Sequence, residues 1–157
     1  MTANKVDPGG HRPNWIAVVL IGLFAIAAVG LTRPTTSAHS PSSVSGLMAL
    51  KASAQTATPY QTAMADPYPT LIEFYADWCT TCQAMAPTLQ ALRQRLEGQV
   101  NFVMLNIDDP QWQPQVQQFH VNGVPHLALL NSDGSFAGSL VGRTPLQPLM
   151  ERVANLS

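Results

Sequence analysis

Hydrophobic and polar positions change their rhythm several times along this chain. Residues 15–31 run from Trp15 to Leu31 without one charged side chain. As a helix at about 1.5 Å per residue this stretch spans roughly 25 Å, the short end of what crosses a bilayer. Trp15 stands at its edge, where an interfacial aromatic is expected. The pattern predicts a transmembrane anchor, with a cleaved signal peptide as the alternative and Thr36-Ser37-Ala38 as its small-residue cleavage site. Residues 32–58 lose the apolar pattern and are rich in Ser, Thr, Ala and Pro. They read as a flexible tether, with a short helical stretch around Gly46–Gln55 the only element the pattern allows there.

From residue 59 regular periods return. Thr58-Pro59 reads as a cap with proline at the first helical position, opening a short helix to about Ala65. Thr70–Ala76 is a strand, apolar on both faces except at Glu73. Met85, Leu89, Leu92 and Leu96 recur at spacings of 4, 3 and 4, one face of a helix over residues 79–97. Pro87 lies inside it and predicts a kink. Val100–Ile107 is a nearly unbroken apolar run, the mark of a buried parallel strand. Asp108–Pro114 reads as a loop and Gln115–Phe119 as a short helix. His126–Leu130 and Ser135–Val141 read as strands joined by a turn at Asn131-Ser132-Asp133-Gly134. Thr144-Pro145 opens a last helix to about Ala154. Helices alternating with strands and then a hairpin predict an α/β domain with a central mixed sheet. The expected segments are residues 1–14, a span at 15–31, a linker at 32–58 and one folded domain at 59–157.

Charge adds direction. In residues 1–58, Lys5, Arg12, Arg33 and Lys51 against Asp7 leave a net +3; in residues 59–157 four arginines against eight carboxylates leave −4. Lys5 and Arg12 precede the span, which favours an amino terminus in the cytoplasm and the domain outside it. The whole chain carries −1, so no basic footprint points to nucleic acid.

The chemistry is concentrated in two residues. Cys79 and Cys82 are the only cysteines, so no other pair is left for a structural disulfide. A C-x-x-C at a strand-to-helix corner swaps readily between dithiol and disulfide, because helix N–H groups favour the thiolate of the first cysteine. Such exchange calls for no cofactor and no metal. The alternative is a zinc site drawing on Cys79, Cys82, His120 and His126.

Several separated features now converge. Trp78 precedes Cys79, Pro87 follows Cys82 by five residues, Glu73 lies six before Cys79, Gly123-Val124-Pro125 follows later, and Gly134 and Gly142 flank the last strand. Over residues 59–157 the chain resembles the thioredoxin superfamily. Pro69–Cys79, Val100–Asp108, Val124–His126 and Val141–Arg143 are similar to the membrane-anchored thioredoxin-like proteins of cyanobacterial and chloroplast thylakoids. The resemblance implies a thioredoxin-like fold behind the anchor. It implies a lumenal dithiol reductant that receives electrons from a transmembrane thiol donor and serves apocytochromes or other cysteine-containing proteins; the alternative is an exported oxidant that forms disulfides with the same residues at the opposite poise. Cys79 is then the nucleophile, Cys82 the resolving thiol and Glu73 a buried proton acceptor. Pro125 is implied to be cis, setting the Val124 backbone beside the sulfurs, while Trp78 and His126 are candidate substrate contacts. For Glu73 an acid at a strand edge, for Trp78 a core aromatic and for His126 a surface histidine remain open. Two departures stand out: Met104 occupies the place where many thioredoxins pair a lysine with the acid, and Thr80-Thr81 replaces Gly-Pro between the cysteines.

Overall fold

A computed structural model describes residues 43–157. The 1–14 segment, the 15–31 span and the first part of the linker lie outside the described residues. Among the described residues no helix is long and apolar enough to cross a membrane. The elements are α1 (Ser43–Gln55), α2 (Tyr60–Ala65), β1 (Thr70–Tyr75), α3 (Thr80–Arg95), β2 (Asn101–Asn106), a 3-10 turn at Pro110–Trp112 leading into α4 (Gln113–Gln118), β3 (His126–Leu130), β4 (Phe136–Val141) and α5 (Leu146–Ala154).

The four strands form one mixed sheet in the order β2-β1-β3-β4. β1 runs parallel to β2 and antiparallel to β3, which pairs antiparallel with β4. β1 is therefore central, and all six of its residues are buried. Side chains alternate across a strand, so the sheet divides its core in two. Leu71, Phe102, Leu127 and Leu129 pack with Met85, Leu89 and Leu92 of α3 and with Leu149 and Val153 of α5. Ile72, Phe74, Val103, Leu105, Ala128 and Leu130 pack with Ala63 of α2 and with Phe119. A third cluster closes the carboxyl end of β1: Leu50, Tyr75, Ala76, Cys79, Cys82 and Ala86.

The tether expected over 32–58 is corrected at its distal end. Ser43–Gln55 is a helix, and Leu50 is completely buried. Arg93 of α3 donates to the Ser53 carbonyl at 3.4 Å and to Thr56 Oγ1 at 2.9 Å, tying the end of this segment to the domain. The short helical stretch expected around Gly46–Gln55 is present and starts earlier, at Ser43; its docking on the domain was not expected, because small residues dominate α1 and no apolar stripe stands out.

Smaller departures also have local causes. Thr58 does not cap α2; Pro59 holds that place, with no side-chain bond. The Thr58 N–H instead donates to the Phe102 carbonyl at 2.8 Å, against the outer side of β2. Pro145, not Thr144, precedes α5 in the same way. The loop expected over Asp108–Pro114 coils early: Asp109 Oδ1 accepts from the Gln111 N–H at 3.1 Å, and Pro114 lies in the first turn of α4, where its missing N–H costs nothing. The Asn131–Gly134 turn forms as expected, with Gly134 at φ +79° and its N–H on the Asn131 carbonyl.

Candidate functional site

Cys79 is the residue from which α3 starts. It caps the helix with its own sulfur: Sγ accepts the Cys82 N–H at 3.0 Å, while the Cys79 carbonyl accepts from the Gln83 N–H at 3.1 Å. Cys79 and Cys82 are joined as a disulfide, with Cα atoms 5.3 Å apart. In the dithiol form the same N–H and the positive end of a 16-residue helix favour a thiolate at Cys79. Cys79 retains 5% exposure and Cys82 none, so of the two only Cys79 is open to solvent.

The surroundings of the pair are partly open and partly sealed. Trp78 is 64% exposed, which removes the core-aromatic reading. Its indole N–H donates to Asp108 Oδ2 at 2.9 Å, and the Asp108 N–H is itself held by Asn106 Oδ1. The ring is thus pinned beside Cys79 from the end of β2. The Val124–Pro125 bond is cis. Val124 packs against the cysteine cluster, and the Pro125 carbonyl accepts from the Gly142 N–H at 2.8 Å. Gly142 sits at φ +82°, a conformation glycine adopts without a Cβ clash.

Glu73 lies inside, not at a strand edge. It is 2% exposed, between Met104 of β2 and Leu127 of β3, on the face of β1 that carries Leu71 and Tyr75. Burial alone pushes its carboxyl up to about 8, and Oε1 has no hydrogen-bond partner. The side chain lines a cavity of about 20 Å³ with Ser53, Gln90, Arg93 and Met104, room for one water. Ser53, Gln90 and Arg93 also line an open groove of about 600 Å³ between α1 and α3, so this cavity lies just behind the surface.

His126 is corrected more sharply. It is 3% exposed, pairs with Phe74 in the sheet register and stands edge-on to that ring at 5.9 Å. Both ring nitrogens are buried without partners, and desolvation lowers its pKa. A surface histidine is excluded, and a side chain gripping substrate from solvent would not lie here. His120 and His126 do not join the cysteines: among the described residues no cluster of three or more potential metal ligands forms.

The structure therefore gathers Cys79, Cys82, Trp78 and Val124 at one end of β1, with Pro125 behind and Glu73 deeper on the same face. Asp77, two residues before Cys79, pairs with Lys51 of α1 at 3.1 Å. Gln83 Nε2 donates to the Asp77 carbonyl at 2.7 Å. Neither Lys51 nor Gln83 was legible as part of the site. The spacing of Gly46 and Leu50 on one helical face was the only available signal for α1.

Comparison with known proteins agrees with this geometry. The thioredoxin family model matches residues 51–155. The chain is 40% identical over 151 residues to the thiol:disulfide interchange protein TxlA homolog of Synechocystis sp., covering 96% of this chain and 78% of that protein. It is 42% identical over 112 residues to the thioredoxin-like protein HCF164, chloroplastic, of Oryza sativa, covering 71% of this chain and 43% of that one. The chain thus spans less than half the length of the rice protein. Among solved structures, oxidized mitochondrial thioredoxin 3 of Saccharomyces cerevisiae superposes with a TM-score of 0.53 at 27% identity, covering 61% of this chain and 85% of that one.

Proposed function

The chain belongs to the thioredoxin family and is a thiol–disulfide oxidoreductase, and from that premise we propose that it is a membrane-anchored dithiol reductant of cysteine-containing proteins outside the cytoplasm. Residues 15–31 supply the anchor, a transmembrane thiol donor supplies the electrons, and lumenal proteins such as apocytochromes receive them in cytochrome assembly. The names of the relatives, thiol:disulfide interchange and chloroplastic, support a thylakoid setting. The observation that carries the chemistry is the 3.0 Å bond from the Cys82 N–H to Cys79 Sγ, which supports Cys79 as the ionising thiol.

The reaction follows from that asymmetry. The Cys79 thiolate attacks one sulfur of a target disulfide; the target S–S bond breaks, and the departing thiolate takes a proton. Trp78 and the Val124 backbone beside Pro125 receive the target as an extended strand. Cys82 then gives up its proton, directly or through a water, to the carboxylate of Glu73. The Cys82 thiolate attacks Cys79 Sγ, releasing the second target thiol and closing Cys79–Cys82. Two electrons pass to the target. A carboxyl poised near 8 suits this task, because an acceptor works best with a pKa close to the working pH.

The deciding experiment is the midpoint potential of the full chain in defined glutathione and dithiothreitol buffers, together with reduction of an oxidised apocytochrome peptide. A potential near about −270 mV supports the reductant; one near about −120 mV makes the protein an oxidant that forms disulfides with the same residues.

A further inference from the structure

The helix hidden in the expected tether makes three different contacts with the redox end of the domain. Leu50 is completely buried in the same cluster as Cys79, Cys82, Tyr75, Ala76 and Ala86. Gly46 lies against Gln83, one residue beyond Cys82: a Cβ built on Gly46 would stand 3.0 Å from Gln83 Cβ and 3.3 Å from the Gln83 carbonyl oxygen. Lys51 pairs with Asp77 at 3.1 Å. Gln83 and Lys51 converge on one residue, since Gln83 Nε2 holds the Asp77 carbonyl at 2.7 Å while Lys51 holds its carboxylate. Asp77 is two residues before the nucleophile. The contacts therefore act on both cysteines, Leu50 from the apolar side of the pair and Gly46 and Lys51 through the loop carrying Cys79.

We propose that α1 is a working part of the redox site, a positioning element that seals Cys82 from water and holds the Asp77–Cys79 loop so that the two thiols keep unequal reactivity. The proposal rests on the reading that Cys79 attacks and Cys82 resolves. Its physical basis is desolvation. A thiol closed in by apolar side chains resists ionisation. A sealed Cys82 stays a neutral thiol until the mixed disulfide forms, while Cys79 remains the thiolate. Opening the seal lets water stabilise a second thiolate, which favours the dithiol over the disulfide and makes the couple more oxidising. Gly46 is needed because a side chain there would drive α1 away from Gln83. Lys51 acts at longer range: with it gone, the Asp77 carboxylate opposes ionisation of Cys79.

The test uses the full reduced chain in detergent and reads the thiols themselves, so it needs no substrate. Alkylation by iodoacetamide is followed at each cysteine by mass spectrometry across pH, beside the glutathione equilibrium and thermal melting. Leu50→Ala is expected to raise the Cys82 alkylation rate about tenfold and to shift the equilibrium toward the dithiol about tenfold, about 30 mV for this two-electron couple. Leu50→Met, which keeps the volume, restores both. Gly46→Val shifts both in the same direction. Lys51→Met, on the surface and harmless to folding, slows Cys79 alkylation at neutral pH, and Lys51→Arg restores it. Lower melting temperatures with wild-type alkylation rates and potential would make α1 a structural cover only and overturn the proposal. Should the Leu50 and Gly46 variants fail to fold, an unchanged Cys79 rate in Lys51→Met overturns it alone. A Cys79→Ser variant with full exchange activity would strike the attacking role of Cys79 instead, and is read separately.

Discussion

A buried carboxyl and a buried imidazole lie on opposite faces of the sheet, and their surroundings are built differently. On one face Glu73 lies among Leu71, Tyr75, Met104 and the helices α1 and α3, beside a cavity with room for one water. On the other, His126 stands edge-on to Phe74 in a closely packed cluster with Ile72, Val103, Phe119 and Ala128. Burial raises the carboxyl and lowers the imidazole, so each favours its neutral form. The first group has a small cavity beside it; the second has a ring. The face that holds the cysteines thus keeps a buried carboxyl at a cost in stability, while the opposite face supplies packing that holds β1 in place.

The comparison breaks most sharply at the sulfurs. Cys79→Ser is expected to abolish dithiol-dependent reduction of insulin, whereas no change on the His126 face should do so while the fold survives. Phe74→Ala tests that second half. It removes a fully buried ring and should cost about 3–5 kcal/mol in a urea titration, yet leave the midpoint potential of the remaining folded protein near wild type. A large shift in potential would mean that the two faces are coupled through β1.

Glu73 comes next in size. Its carboxyl is near 8 when folded and 4.5 in the ordinary case, so the native state binds more protons between those values and stability falls as pH rises through that window. At pH 7 the cost is on the order of 3 kcal/mol relative to pH 4.5. Glu73→Gln should flatten this slope and slow disulfide exchange at neutral pH; unchanged exchange rates would remove Glu73 from the chemistry. The His126 effect is smaller and of opposite sign. Its folded pKa lies below the unfolded 6.5, so the unfolded chain binds the extra proton and stability is lost as pH falls through and below 6.5. His126→Leu should reduce that acid-side loss with exchange kinetics unchanged, as read by melting at pH 5 and pH 7.

The sheet and the long helix were legible because burial leaves a periodic record. The apolar runs of β1, β2 and β3 and the spacing of Met85, Leu89 and Leu92 have few alternative readings. His126–Leu130 was placed to the residue, since Pro125 before it and Asn131 after it both punctuate the chain. The burial of His126 was not legible: a histidine after a proline looks the same in sequence whether its ring meets solvent or Phe74. Of α1 only the helical stretch around Gly46–Gln55 was legible; its contacts were not, because Gly46, Leu50 and Lys51 each act on a different partner distant in the chain, and no local period records that.

By itself the sequence determined the redox pair and the succession of strands and helices along the chain. These are local facts: a three-residue spacing, a proline, a repeating apolar stripe. The tertiary structure alone decided what surrounds the pair. It closed Glu73 between two strands, pinned Trp78 to Asp108, turned His126 into the opposite face and brought α1 against Gln83 and Asp77. Reactivity depends on how far water and charge stand from two sulfurs, and those distances are set by chain segments that meet only when the sheet has formed.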